Sequence, residues 1–122
     1  MPDKNAHRRQ VQHNQEFIDF LNLDSTKYLD WVVTVAFHVA IHLVEQHLAQ
    51  YGIDSPNHAD RWLYMERCKS LKPVYQDTRW LYDQSRDCRY QCWIPDKRFV
   101  KAEVLPTLGS IETTLKNLRP SP

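Results

Sequence analysis

From Trp31 to Leu48 the chain sets Trp31, Val32, Val35, Ala36, Val39, Ala40, Leu43, Val44 and Leu48 at i, i+3, i+4 and i+7, with Val33, Phe37 and Ile41 adding apolar side chains between them. That recurrence is the period of a helix. The β-branched residues would also suit a strand, but a stretch of about twenty residues without Gly or Pro is several times the usual strand length. The pattern therefore predicts a helix from about Asp30 to Tyr51, stopped by Gly52 in a left-handed conformation. Being apolar on almost every side, it belongs at the centre of a bundle. The expected fold class is all-α, a four-to-five-helix bundle around this long central helix.

The rest of the chain supplies partners for that helix. A first helix is expected from about Asn5 to Leu23, with Val11, Phe17, Ile18, Phe20, Leu21 and Leu23 as its apolar stripe. Asp24, Ser25 and Thr26 follow as turn and N-cap residues. Ser55 before Pro56, or Asn57 with Asp60 three residues on, can start a third helix over about Ala59 to Ser70. Pro73 marks a boundary before a further helical run through Val74, Leu81 and Tyr82 towards Tyr90. Trp93, Ile94 and Pro95 read as a turn. Asp96 can cap a last helix whose inner face carries Phe99, Val100, Val104, Leu105, Leu108, Ile111, Leu115 and Leu118, with a kink at Pro106. No repeat and no long linker divides the 122 residues, so one domain is expected over 1–122.

Composition narrows the function classes. Sixteen basic and fifteen acidic residues leave a formal charge of +1, so any nucleic-acid site has to be local. Two glycines are too few for the tight turns of an all-β protein. Three cysteines cannot all pair within the chain and read as reduced thiols, which makes the expected location cytoplasmic. The first residues are polar and lack the apolar core of a signal peptide. The apolar run from Trp31 to Ile41, broken by Thr34 and His38, is too short to span a bilayer, and no membrane association is expected.

Several groups of side chains can carry chemistry. His38 and His42 are i, i+4 on the central helix with Glu45 three residues on, a spacing that can ligate zinc if a further ligand comes from elsewhere. The alternative for His38 is a half-buried position hydrogen-bonded across the bundle. His42 can be structural or can move a proton near neutral pH. His58 and Arg61, i, i+3 at a helix start, form the best phosphate candidate, since the free backbone N–H groups and a guanidinium fork both favour an anion. The alternative is a surface pair between Arg61 and Asp60, Asp54 or another carboxylate. Arg86, Arg89 and Tyr90, with Arg79, Trp80 and Tyr82 behind them, have the mixture of cations and rings that holds phosphates and stacks bases. Asp77, Asp83 and Asp87 among them equally describe a solvated, mixed-charge face. Cys88 and Cys92 share a helical spacing but make only a weak zinc signal. His7, Arg8, Arg9 and His13 form a basic cluster that a frayed, solvated first turn also explains. There is no Gly-rich phosphate loop, carboxylate dyad or Ser-His-Asp set, and no cofactor is implied.

Two stretches carry a resemblance. The run Ala36-Phe37-His38-Val39-Ala40-Ile41-His42-Leu43-Val44-Glu45, followed by Leu48, Gly52 and then Ser55 to Arg61, resembles the long helix and following His of the HEPN superfamily (higher eukaryotes and prokaryotes nucleotide-binding domains). Leu81 to Tyr90, with Ser85, Arg86 and Tyr90, is similar to a later stretch of the same superfamily. The resemblance covers about residues 10 to 95. It implies a four-to-five-helix bundle, frequently a homodimer, in a group of nucleases, toxins of toxin-antitoxin pairs, nucleotidyltransferase partners and binding domains. Ribonuclease members carry Arg-x(4-6)-His late in the domain, and no histidine follows His58 here. The expectation is thus a module that binds RNA, a nucleotide or a protein encoded nearby. The alternatives are a metal-independent ribonuclease or toxin using His42, His58 and Arg61, and a metal-binding bundle.

Overall fold

The computed structural model describes residues 3–53 and 58–118. The alternative caps at Ser55 and Asn57, and the side chain of His58, lie outside them. Among the described residues every regular element is helical, as the apolar periodicity requires.

Helix α1 spans Lys4–Phe20 and opens with Asp3, whose carboxylate accepts the Ala6 N–H at 2.8 Å. It ends three residues short of Leu23. Only part of its expected stripe is buried: Val11 and Ile18 face the core, whereas Phe17 is half exposed and Phe20 is 84% exposed. His7 takes the place of an apolar residue on the buried face, one turn before Val11.

Helix α2 spans Leu29–Ala49 and is the core of the molecule. Val32, Val33, Ala36, Val39, Ala40 and Val44 have no solvent exposure, and a fully buried aliphatic side chain of this size contributes about 1.5–3 kcal/mol. The polar turn before it works differently from a side-chain cap. Thr26 Oγ1 accepts the Tyr28 N–H at 3.1 Å, and Tyr28 itself caps α2 without a side-chain bond. Beyond Ala49 the chain turns, and Gly52 adopts φ +70°, the left-handed conformation expected of it. At 21 residues and a mean hydropathy of 1.3, α2 does reach the length and apolarity of a membrane span, contrary to the reading of its shorter Trp31–Ile41 run, but 78% of that window is buried in the bundle.

Helix α3 is His58–Arg67, shorter than expected, and a 3₁₀ turn at Lys69–Leu71 leads into α4, Lys72–Tyr90. Pro73 sits in the first turn of α4, where its missing N–H breaks no helical bond. Trp93 to Pro95, expected as a turn, is an irregular segment without an assigned turn, after which Asp96 Oδ1 accepts the Phe99 N–H at 2.7 Å and starts a continuous helical run. That run is α5 (Lys97–Phe99), a π turn (Val100–Val104) and α6 (Leu105–Asn117). Where a kink is expected at Pro106, the helix carries this π turn just ahead of it. Leu105 N–H donates to Val100 O, five residues back, immediately before the residue that has no N–H to give.

Around α2 lie α1, α4 and α6, and α3 packs on α4. Both α1 and α4 run antiparallel to α2. His7 meets His42; Phe37 meets Tyr82, and Asp30 and Thr34 line a cleft with Cys88 and Arg89. Positions low on α2 therefore face positions high on α4.

Candidate functional site

Between Leu29 and Leu48, the α2 residues that are not buried are Asp30, Trp31, Val35, His38 and His42. The last four are spaced i, i+4, i+7 and i+11, a single stripe about 16 Å long at 1.5 Å per residue. It forms an open seam between α1 and α4. Trp31 is 53% exposed at one end and His38 is exposed further along. Neither matches its expected place, Trp31 in the core and His38 half-buried.

The histidine end of the seam is densely built. His42 Nδ1 lies 2.9 Å from His7 Nδ1, with ring centroids 5.2 Å apart. One of these nitrogens carries the shared proton and donates while the other accepts, so the two rings hold opposite roles. Burial pushes the His42 pKa down to about 4, helped by the charges of His7, His38 and Arg61 and opposed by Glu45. His42 is neutral at physiological pH.

Beneath His42, Arg61 of α3 donates from Nε to Glu45 Oε1 at 2.5 Å, with the two side chains only 10% and 6% exposed. The Arg61 guanidinium, expected at a phosphate site, is buried and answers a carboxylate on α2, tying α3 to the central helix. Among the described residues no three His, Cys, Asp or Glu side chains are grouped to hold an ion.

On the other side of the seam, α4 presents Arg79, Tyr82, Arg86 and Arg89 at i, i+3, i+7 and i+10, a spacing that keeps them on one face. The Arg79 guanidinium lies 5.0 Å from the Trp62 ring and 5.2 Å from the Tyr82 ring. Tyr82 in turn packs 5.5 Å from Phe37, the neighbour of His38. Arg89 donates to Ser85 O at 3.3 Å and lies 5.3 Å from the Tyr90 ring. With Trp31, Asp30, Thr34 and Cys88 it lines a cleft of about 220 Å³ at the far end of the seam. Trp80 points elsewhere, packing 5.9 Å from Phe99.

Of the expected site residues, His42, Glu45 and Arg61 come together, while Arg89 and Tyr90 lie at the opposite end of the seam, with Arg86 one turn nearer the middle. His58 falls outside the described side chains. Cys88 and Cys92 do not share a face: Cys88 is buried on α4, and Cys92 is exposed beyond its end at φ 54°. Burial, with Asp30 and Asp87 nearby, pushes the Cys88 thiol up to about 11. Sequence reasoning placed His7 in a basic N-terminal cluster rather than beside His42, and missed Trp31 and Trp62 as site residues. The signal for His7 was present in its spacing, i, i+4 and i+11 with Val11 and Ile18. Comparison of the chain with protein-family models, with curated proteins and with solved structures found no match.

Proposed function

We propose that this chain is a HEPN-like helical module that binds single-stranded RNA along the open seam of α2. One observation carries the reading: the unburied stripe Trp31, Val35, His38 and His42 lies beside a row of arginines and rings on α4. Arginines 79, 86 and 89 supply local positive charge on a chain whose formal net charge is only +1, and exposed Trp31 offers a face on which a base can stack. Double-stranded RNA, read mainly by shape and backbone, would have less use for such rings. The resemblance in the α2 run and in Leu81 to Tyr90 supports a binding module, as does the lack of a late Arg-x(4-6)-His. It also suggests a cytoplasmic homodimer or the companion of a protein encoded nearby, and light scattering on the purified protein checks the first. The binding test is anisotropy of a labelled single-stranded oligoribonucleotide against the wild type and Arg79→Ala. Equal affinity of the two proteins, or tighter binding of duplex than single strand, would overturn the reading.

A second reading has its own observation, the 2.9 Å contact between His7 and a neutral His42. Two imidazoles so placed can act as base and acid in metal-independent cleavage, one taking the 2′-hydroxyl proton and the other protonating the leaving 5′-oxygen. This reading brings His7 into the site expected of His42, His58 and Arg61, with Arg61 paired to Glu45. Cleavage in chelator that disappears in both His7→Gln and His42→Gln supports it; cleavage persisting in both ends it.

A further inference from the structure

We propose that His7, His38 and His42 form the phosphate subsite of the seam, and that this subsite takes up a proton when a backbone phosphate binds. The inference rests on the reading of the seam as an RNA site and adds how one end of it is charged and regulated.

Among the described residues, the groups facing His42 are His7 from α1, His38 and Glu45 from α2, and Arg61 from α3. On the α4 side, Tyr82 and Arg79 border His38 through Phe37. α6 packs elsewhere on α2, bringing Glu112 and Lys116 to a groove with Leu43 and Gln46. Arg61 is a permanent cation near the histidines, and it is paired with the Glu45 carboxylate at 2.5 Å. Neutral His42 adds no positive charge to this end of the seam, although it lies in line with the arginine row. A proton is the means by which it can acquire one.

In the free protein that proton is disfavoured. His42 is partly buried, and a charge on it would repel charges on His7, on His38 and on Arg61. A phosphodiester reverses the balance: it brings a negative charge and acceptor oxygens to the mouth of the cluster, and both stabilise an imidazolium. His38 and His42 differ by four positions on one helix, so both can reach the same anion from one side, with His7 from the other. Linkage then requires that binding draw a proton from solution, and that affinity rise as pH falls.

The test is calorimetric titration of the full chain with a short single-stranded oligouridylate, in two buffers of different ionisation enthalpy and over pH 7.5 to 5.5. Expected are heats that differ between the buffers in the sense of proton uptake, and an affinity that strengthens on acidification by up to about tenfold per pH unit for one coupled proton. His42→Gln, folded by circular dichroism, should still bind but lose most of that dependence. His7→Asn provides a second, independent loss. RNA that binds with equal heats in both buffers and with pH-independent affinity overturns the proposal while leaving the RNA reading intact. Should RNA not bind at all, the RNA reading fails, and the histidine ring resonances are titrated with inorganic pyrophosphate. A raised His42 pKa then upholds the subsite, and an unchanged one ends it.

Discussion

Arg61→Met removes the cation that answers Glu45 while keeping much of the apolar stem that fills the space. The carboxylate left behind belongs to a side chain only 6% exposed, and the guanidinium it loses stood 2.5 Å away. An exposed pair would contribute about 0–1 kcal/mol. A buried one behaves differently, because the abandoned partner keeps its desolvation penalty without compensation, at a cost of about 3–5 kcal/mol. For a chain of 122 residues, a fall of roughly 4 °C in Tm per kcal/mol turns that into about 12–20 °C. The double variant Arg61→Met with Glu45→Leu removes both charges and should recover most of the loss, since a buried ion pair and an apolar replacement of similar volume are often close in stability. Urea unfolding of the wild type, both single variants and the double variant closes the cycle. If each single variant loses less than about 1 kcal/mol, or if the double variant is simply the sum of the singles, the claim that this pair is a buried link between α2 and α3 is wrong.

Other outcomes follow from the same geometry. Gly52→Ala should cost about 1–2 kcal/mol in urea unfolding, for φ is +70° while the added Cβ meets nothing within 4 Å; an unchanged midpoint would mean the turn relaxes. Alkylation at pH 8 should label Cys68 and Cys92 quickly and Cys88 slowly, because Cys88 is buried with its thiol pushed up to about 11; mass spectrometry that finds Cys88 labelled as fast as the others contradicts this. His42 has a folded pKa of about 4 against an ordinary value of 6.5, so between these pH values the unfolded chain binds the extra proton. Its contribution to stability is therefore constant above about 6.5 and is lost as pH falls towards 4. His42→Gln should flatten the fall in urea midpoint over that range, and a variant with the same slope as the wild type would refute the assignment.

What could be read in the sequence divides along a physical line. Features set by local spacing were legible: the central helix, the glycine that ends it, the Asp96 cap and the Pro73 boundary all depend on residues within a turn or two. Features set by which face of a helix meets which neighbour were not. Phe17 and Phe20 looked like core because they are apolar, yet α1 turns Val11, Ile18 and His7 inwards instead. Trp31 fits the apolar period of α2, but it lies on the stripe that neither α1 nor α4 covers. The partner of Arg61 could not be chosen from sequence, because Glu45 is 16 positions away and is brought near only by the packing of α3. Likewise His7 and His42 are 35 positions apart, and only the antiparallel pairing of α1 with α2 makes them neighbours.

The open seam is the central claim, and Trp31 offers the most direct measurement of it. It is 53% exposed, so Trp31→Ala should leave the fold unchanged by circular dichroism. Stacking of a base on such a ring is worth about 1–3 kcal/mol, which predicts that binding of a labelled single-stranded oligoribonucleotide weakens by about 5- to 150-fold. Arg86→Ala, in the middle of the arginine row, should weaken binding as well and reduce the salt dependence by about one unit of slope. Single-stranded RNA binding with wild-type affinity and salt slope to both variants would contradict the account, and so would a wild type that shows no binding at low salt.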